Sequence, residues 1–317
     1  MVKQFEINPF SYILCHFQKR YCLFFSPYPK MLDNKMFFWG KPLYLELLSE
    51  DDFYPFPRRI NLLDKTWWDL RYIYSNNQKI ICPTILSRDY CLKILKLPEE
   101  NHFLRRHLCK INWKYVHNIF DPYDGFKKLL TNESFSQTMR IIHDELRLNT
   151  EKIGITGSLL IDPRIYSPMT DIDLVIDTSL ENTKRIASLI TDKFLNIKYR
   201  NTWPLKAILR KNIEVDLFFP PSKEMFNFLD SIEFENETIV VSFEDIVIND
   251  DFSFFAPTII EGAKYHFIIL GTAARGEIHK GEGIKGYGFY CSSSLCKKKV
   301  IIIDDPVIQL EKIPSLR

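Results

Sequence analysis

Three carboxylates and one turn carry most of the chemistry this chain can offer. Gly157-Ser158 is followed, after twelve residues, by Asp171-Ile-Asp173, and Asp216 interrupts the apolar run Ile213-Glu-Val-Asp-Leu-Phe-Phe219. Ile153-Gly-Ile-Thr-Gly157 reads as a short buried strand ending in a glycine, where the backbone can turn and expose N–H groups. Such a turn, opening a helix, suits phosphate, and the Ser158 hydroxyl can donate to a phosphate oxygen. Asp171 to Ile176 begins with carboxylates and aliphatics in alternation, which puts Asp171 and Asp173 on one strand face and Ile172, Leu174 and Ile176 in the core. Two carboxylates on one face repel each other, and a hard divalent cation relieves this. Mg²⁺ fits, with Mn²⁺ as a substitute, because it takes few protein carboxylates and completes its shell with water and phosphate. Asp216, on a neighbouring strand, supplies a further ligand, giving a two-ion arrangement in which Asp171, Asp173 and Asp216 are both metal ligands and catalytic residues.

These residues also carry a resemblance. A hydrophobic strand, Gly-Ser, about a dozen residues, Asp-x-Asp between aliphatics and a later aliphatic-Asp-aliphatic strand resemble the DNA polymerase beta-like nucleotidyltransferase superfamily. More narrowly, Gly154-Ile-Thr-Gly-Ser-Leu-Leu160 with Thr170-Asp-Ile-Asp-Leu-Val-Ile176 is similar to an archaeal group of predicted nucleotidyltransferases that carry extra domains on both sides. The resemblance covers residues 153 to 219. It implies that Gly157 and Ser158 bind a nucleoside triphosphate, ATP among the options, and that Asp171, Asp173 and Asp216 hold two Mg²⁺ ions. The reaction implied moves a nucleoside monophosphate to an acceptor hydroxyl, on nucleic acid or protein, and releases pyrophosphate. One departure stands out: many small members have an arginine and a glycine soon after the Gly-Ser, and here Leu159, Leu160, Asp162 and Pro163 follow, with Arg164 the first basic residue. That departure leaves a catalytically inactive module binding RNA or a protein partner as the alternative.

The elements that must position these residues follow from periodicity. Phe135, Met139, Ile142 and Leu146 recur at helical spacing, so a helix precedes the Gly-Ser strand. Thr178-Ser-Leu-Glu181 has the capping-box pattern and opens a helix through about Phe194, with Ile186, Leu189 and Ile190 inward. Leu205 to Arg210 and Ile213 to Phe219 flank Lys211-Asn212 as a hairpin, which would bring Asp216 beside the Asp-x-Asp strand; Lys206 and Arg210 share one face of its first strand and are expected as cross-strand partners of Glu214, or within reach of the triphosphate if that face lines the cleft.

The expected fold class is α+β. A central nucleotidyltransferase fold, a mixed sheet with helices on one side, spans 126–222; an N-terminal aromatic-rich α+β module spans 1–125, and a C-terminal β-rich domain 223–317. Asp121-Pro-Tyr-Asp-Gly125 reads as a turn at the first boundary and Pro220-Pro221 as the second. Trp67-Trp68 and Phe37-Phe-Trp39 are expected in the N-terminal core. Beyond Pro221, Glu237 to Phe243, Tyr265 to Leu270, Ile284 to Tyr290 and Lys299 to Ile303 read as strands of a small barrel or sandwich. Arg275, His279 and Lys280 lie among glycines in a long hairpin loop that could touch phosphate.

Charge is uneven: residues 1–130 hold 20 Lys+Arg against 13 Asp+Glu, 131–222 hold 12 against 12, and 223–317 hold 10 against 15. The basic N-terminal third suits a polyanionic acceptor such as RNA. The sharpest patch is His102 to His117, where Arg105, Arg106, Lys110 and Lys114 interleave with Phe103, Trp113 and Tyr115; aromatics there could stack bases while cations hold phosphates, and the alternative is the ordinary solvated basic face of an amphipathic helix. No run of about 18 apolar residues suggests a membrane span, and Lys3, Glu6, Asn8 and Pro9 interrupt any signal segment, so a cytoplasmic location is expected. Seven scattered cysteines argue for reduced thiols; neither Cys15 with Cys22 nor Cys291 with Cys296 has zinc-knuckle spacing.

Overall fold

The computed structural model describes residues 7–26, 32–33, 37–48, 56, 58–75, 78–81, 84–98, 108–148, 152–193, 205–233, 239–270, 274–304 and 309–313. The chain is mixed α+β and forms two compact units: Met1–Lys128 with Ile155–Tyr166, and Leu129–Gly154 with Ser167–Arg317.

The N-terminal stretch is mainly antiparallel: β1 (Ser11–Phe17), β2 (Arg20–Ser26), β3 (Leu32–Asp33), β4 (Phe37–Glu46), β5 (Arg59–Leu62), β6 (Lys65–Asp69), β7 (Tyr72–Ser75), β8 (Gln78–Ile81), α1 (Thr84–Leu95), β9 (Cys109–Asn112), β10 (Val116–Phe120) and α2 (Pro122–Leu129). In the order β10-β1-β2-β4-β6-β5 the strands curl into a half-barrel, and β3 and β9 add to β4. Trp67, Trp68, Phe38 and Trp39 are buried, as the aromatic runs required. The core also gathers four cysteines: Cys15 lies opposite Cys22 across β1 and β2, the Cys22 and Cys91 sulfurs are 3.8 Å apart, and Cys109 completes the group. All six described cysteines are free thiols.

Two expectations change here. Cys109 to Phe120 is no helix: β9 pairs with β4, β10 pairs with β1, and a 3-10 turn at Trp113–Tyr115 joins them. The rest of the basic patch, Arg105 and Arg106 included, lies outside the described residues. The described aromatics of the patch are committed inward, Trp113 against Phe38 and Tyr115 against Phe17, while Lys110 stands over Phe37. Asp121 starts a helix where a turn was expected, because its carboxylate accepts from the Tyr123 and Asp124 N–H groups and caps α2.

Next come α3 (Glu133–Leu146), β11 (Ile153–Ile155), α4 (Gly157–Ile161), β12 (Ile172–Ile176), α5 (Leu180–Lys193), β13 (Lys206–Leu209), β14 (Ile213–Phe218) and α6 (Lys223–Asp230). Asn132 caps α3 by accepting from Phe135 N–H at 3.1 Å, and Phe135, Met139, Ile142 and Leu146 form its buried face. The α5 cap lies one residue later than the capping-box reading: Ser179 Oγ accepts from Asn182 N–H at 3.3 Å. The sheet order is β11-β12-β14-β13, with β12 parallel to β14 and β13 antiparallel to it. Ile172, Leu174, Ile176, Val215 and Leu217 are fully buried on one face, which leaves the aspartates to the other.

The C-terminal strands are β15 (Ile232–Glu233), β16 (Val240–Phe252), β17 (Thr258–Gly262), β18 (Tyr265–Ile269), β19 (Gly283–Ser293), β20 (Lys299–Ile303) and β21 (Leu310–Ile313). Pairings β16–β17, β17–β18, β18–β20, β20–β19 and β19–β16 close a ring, so the β-rich stretch is a five-stranded barrel and not a sandwich. Phe243, Ile260, Phe267, Ile284 and Ile301 fill it. Closure needs Gly288: a Cβ there would stand 2.6 Å from Ile301 Cγ2 and 2.7 Å from the Ile302 carbonyl oxygen. Among the described residues no helix is long and apolar enough to cross a membrane.

Candidate functional site

The parallel pairing of β12 with β14 sets Asp173 directly beside Asp216 in register, and the hairpin sets Lys206 beside Asp216 on the other flank. One row across three strands therefore reads Asp173, Asp216, Lys206. Asp171, two residues before Asp173 on the same face, has a half-exposed side chain. Lys206 Nζ lies 3.3 Å from Asp171 Oδ2 and 3.0 Å from Glu214 Oε2, so it has the expected cross-strand partner and a second one, whereas Arg210 pairs with Glu145 in α3 and not with Glu214. The two carboxylates outweigh its partial burial and raise the ammonium's pKa, keeping it charged.

Asp216 is 3% exposed. Its counter-charge is Arg275, from the segment between β18 and β19, whose side chain is fully buried. Arg275 Nη2 donates to Asp216 Oδ1 at 3.2 Å, Nη1 donates to the Leu217 carbonyl oxygen, and the guanidinium stacks 3.9 Å from the Phe218 ring centroid. Three consecutive residues of β14 thus hold one arginine. The planar, forked guanidinium makes this possible, and lysine offers no equivalent. Burial pushes the Asp216 carboxyl above its ordinary range and the Arg275 guanidinium below its own, and the attraction between them opposes both shifts. Asp173 contributes to the field that keeps Arg275 charged. Full burial removes Arg275 from any phosphate contact in its loop, and nothing local in the sequence pairs it with Asp216.

Gly157 and Ser158 lie in the other compact unit, at the start of α4. Gly157 has φ +69°, the left-handed region that glycine enters without strain. Thr156 Oγ1 donates to the Phe10 carbonyl oxygen at 3.0 Å and anchors the turn. Leu159, Leu160 and Ile161 are buried, which explains the apolar residues after Gly-Ser. Arg164 is engaged at both ends of its fork: Nε and Nη2 donate to Asp162 at 2.8 Å, and Nη1 to Asp64 at 3.1 Å.

The three carboxylates are hard oxygen donors on adjacent strands, the right chemistry for a divalent cation at Asp171 and Asp173. The third, Asp216, is already held by Arg275. No group of three or more His, Cys, Asp or Glu side chains among the described residues is assembled to hold a metal ion. Comparisons of the chain with protein-family models, with curated proteins and with solved structures find no match.

Proposed function

We propose that this protein is a metal-dependent nucleotidyltransferase, moving a nucleoside monophosphate from a nucleoside triphosphate to an acceptor hydroxyl of nucleic acid or protein, with release of pyrophosphate. The central sheet is then a nucleotidyltransferase fold. The observation that carries the reading is the register of Asp173 against Asp216 on parallel neighbouring strands, with Asp171 just before β12 and 3.3 Å from Lys206. Asp171 and Asp173 would hold Mg²⁺, which when bound would supply charge neutralisation for the phosphates and a lowered pKa for a hydroxyl beside it. Lys206 fixes the orientation of Asp171 and Glu214 and keeps a positive charge beside the carboxylate row. The protein's contribution is positioning and charge balance, not covalent chemistry.

The test uses the full chain with α-labelled ATP or CTP, Mg²⁺ and either total RNA or total protein as acceptor. Label transfer is expected to fall by on the order of 10² or more in Asp173→Ala; equal transfer by that variant would sink the assignment. One observation favours a second reading, a non-catalytic module with this fold: the counter-charge of Asp216 is a protein arginine. Calorimetry with a nucleoside triphosphate and Mg²⁺ separates the two, because the scaffold reading predicts no heat of binding.

A further inference from the structure

We propose that Arg275 is the second cation of this site: it occupies the charge-balancing place at Asp216 that a second metal ion would take, so the carboxylate row accepts a single divalent cation, at Asp171 and Asp173. The inference rests on the metal-dependent reading above and narrows it. Charge balance supports it. At Asp216 the carboxylate's charge is already met by the Arg275 guanidinium, with Nη2 3.2 Å from Oδ1.

Burial supports it independently. The Lys206–Asp171 pair spans 3.3 Å to a carboxylate whose side chain is 51% exposed, so an incoming cation displaces a solvent-screened contact. The Arg275–Asp216 pair is buried on both sides, at 0% and 4%, and Arg275 is also tethered to the Leu217 carbonyl and stacked on Phe218. Removing Arg275 from Asp216 would strand a buried charge and a carbonyl together, which a metal at that carboxylate would have to overcome. A guanidinium also differs from a metal in its action: it is fixed by the fold, needs no loading, and has no coordination position to offer a hydroxyl. Asp216 is thereby a positioning residue, and the metal chemistry belongs to the Asp171 and Asp173 end of the row.

The experiment is a titration of the full chain with Mn²⁺ alone, following free Mn²⁺ by electron paramagnetic resonance. One Mn²⁺ per chain is expected for the wild type, lost in Asp173→Asn and retained in Asp216→Asn. Two ions in the wild type, with one lost in Asp216→Asn, would overturn the role of Arg275 and leave the metal-dependent reading intact. A single ion that survives Asp173→Asn but not Asp216→Asn would overturn it as well. No bound Mn²⁺ at millimolar concentration would overturn the metal reading itself. If circular dichroism shows that Asp216→Asn does not fold, the wild-type stoichiometry and Asp173→Asn still decide between one ion and two.

Discussion

Asp162 accepts from the Arg164 side chain and from the backbone N–H groups of Leu63 and Arg164, and these bonds, led by Arg164, draw its carboxyl pKa down to about 2. In the sequence it was only an acidic residue four positions after Ser158. In the fold it is the anchor that ties the segment after α4 to the loop at Leu63. A carboxyl whose pKa is lower in the folded chain than its ordinary 3.8 stabilises the fold above about pH 4, and the stabilisation disappears as pH falls toward 2. Asp162→Asn should therefore lose roughly 1 kcal/mol near neutrality, once solvent screening of the exposed Arg164 is allowed for. The deficit should close between pH 4 and 2 in denaturant titrations; a deficit independent of pH would contradict the ion pair. That Asp162 and Arg164 would pair is a matter of two-residue spacing and was legible in principle. Their joint hold on Leu63 and Asp64, about a hundred residues earlier, was not.

Most elements around the site were legible because their periods are local. The apolar stripe of α3, the helix α5 and the hairpin β13–β14 all follow from spacing, and the hairpin turn sits where Lys211-Asn212 placed it. Both turn residues have positive φ, +60° and +58°, in keeping with the right-handed twist of the strands they join. This turn sets the register that puts Lys206 beside Asp216. Lys211→Val, a β-branched residue forced into the left-handed region, is expected to destabilise the chain by about 1–2 kcal/mol. Asn212→Gly should change it by less than about 0.5 kcal/mol, since the easier turn is offset by a more flexible unfolded chain. Thermal melts of both variants check this, and equal melting temperatures would mean that the turn does not control the hairpin. The region from Cys109 to Phe120 misled because its basic and aromatic residues mimic a helical face. Its partners are β4 and β1, some 70 to 110 residues away in sequence. Strand pairing at that distance leaves no local period to read.

The two compact units do not follow chain order, since Ile155–Tyr166 groups with the N-terminal residues. Within that unit Leu160 lies against Gly125, Thr156 binds the Phe10 carbonyl, and Asp162 binds Leu63. A fragment comprising 1–128 should therefore be markedly less stable than one comprising 1–166, because it lacks buried Leu159, Leu160 and Ile161. Urea denaturation of the two fragments measures the difference, and equal midpoints would show that the inserted segment contributes nothing to the fold. The sequence by itself determined the helices α3 and α5 and the hairpin β13–β14, that Asp173 and Asp216 stand on strand faces, and that a buried carboxylate at 216 needs a counter-charge. Those conclusions rest on side-chain periods and on the cost of burying charge, both of which are local. Only the tertiary structure decided that the counter-charge is Arg275, 59 residues away. The choice between a metal ion and a guanidinium depends on which segment the closed barrel delivers to Phe218 and Asp216, and no spacing within β14 contains that information.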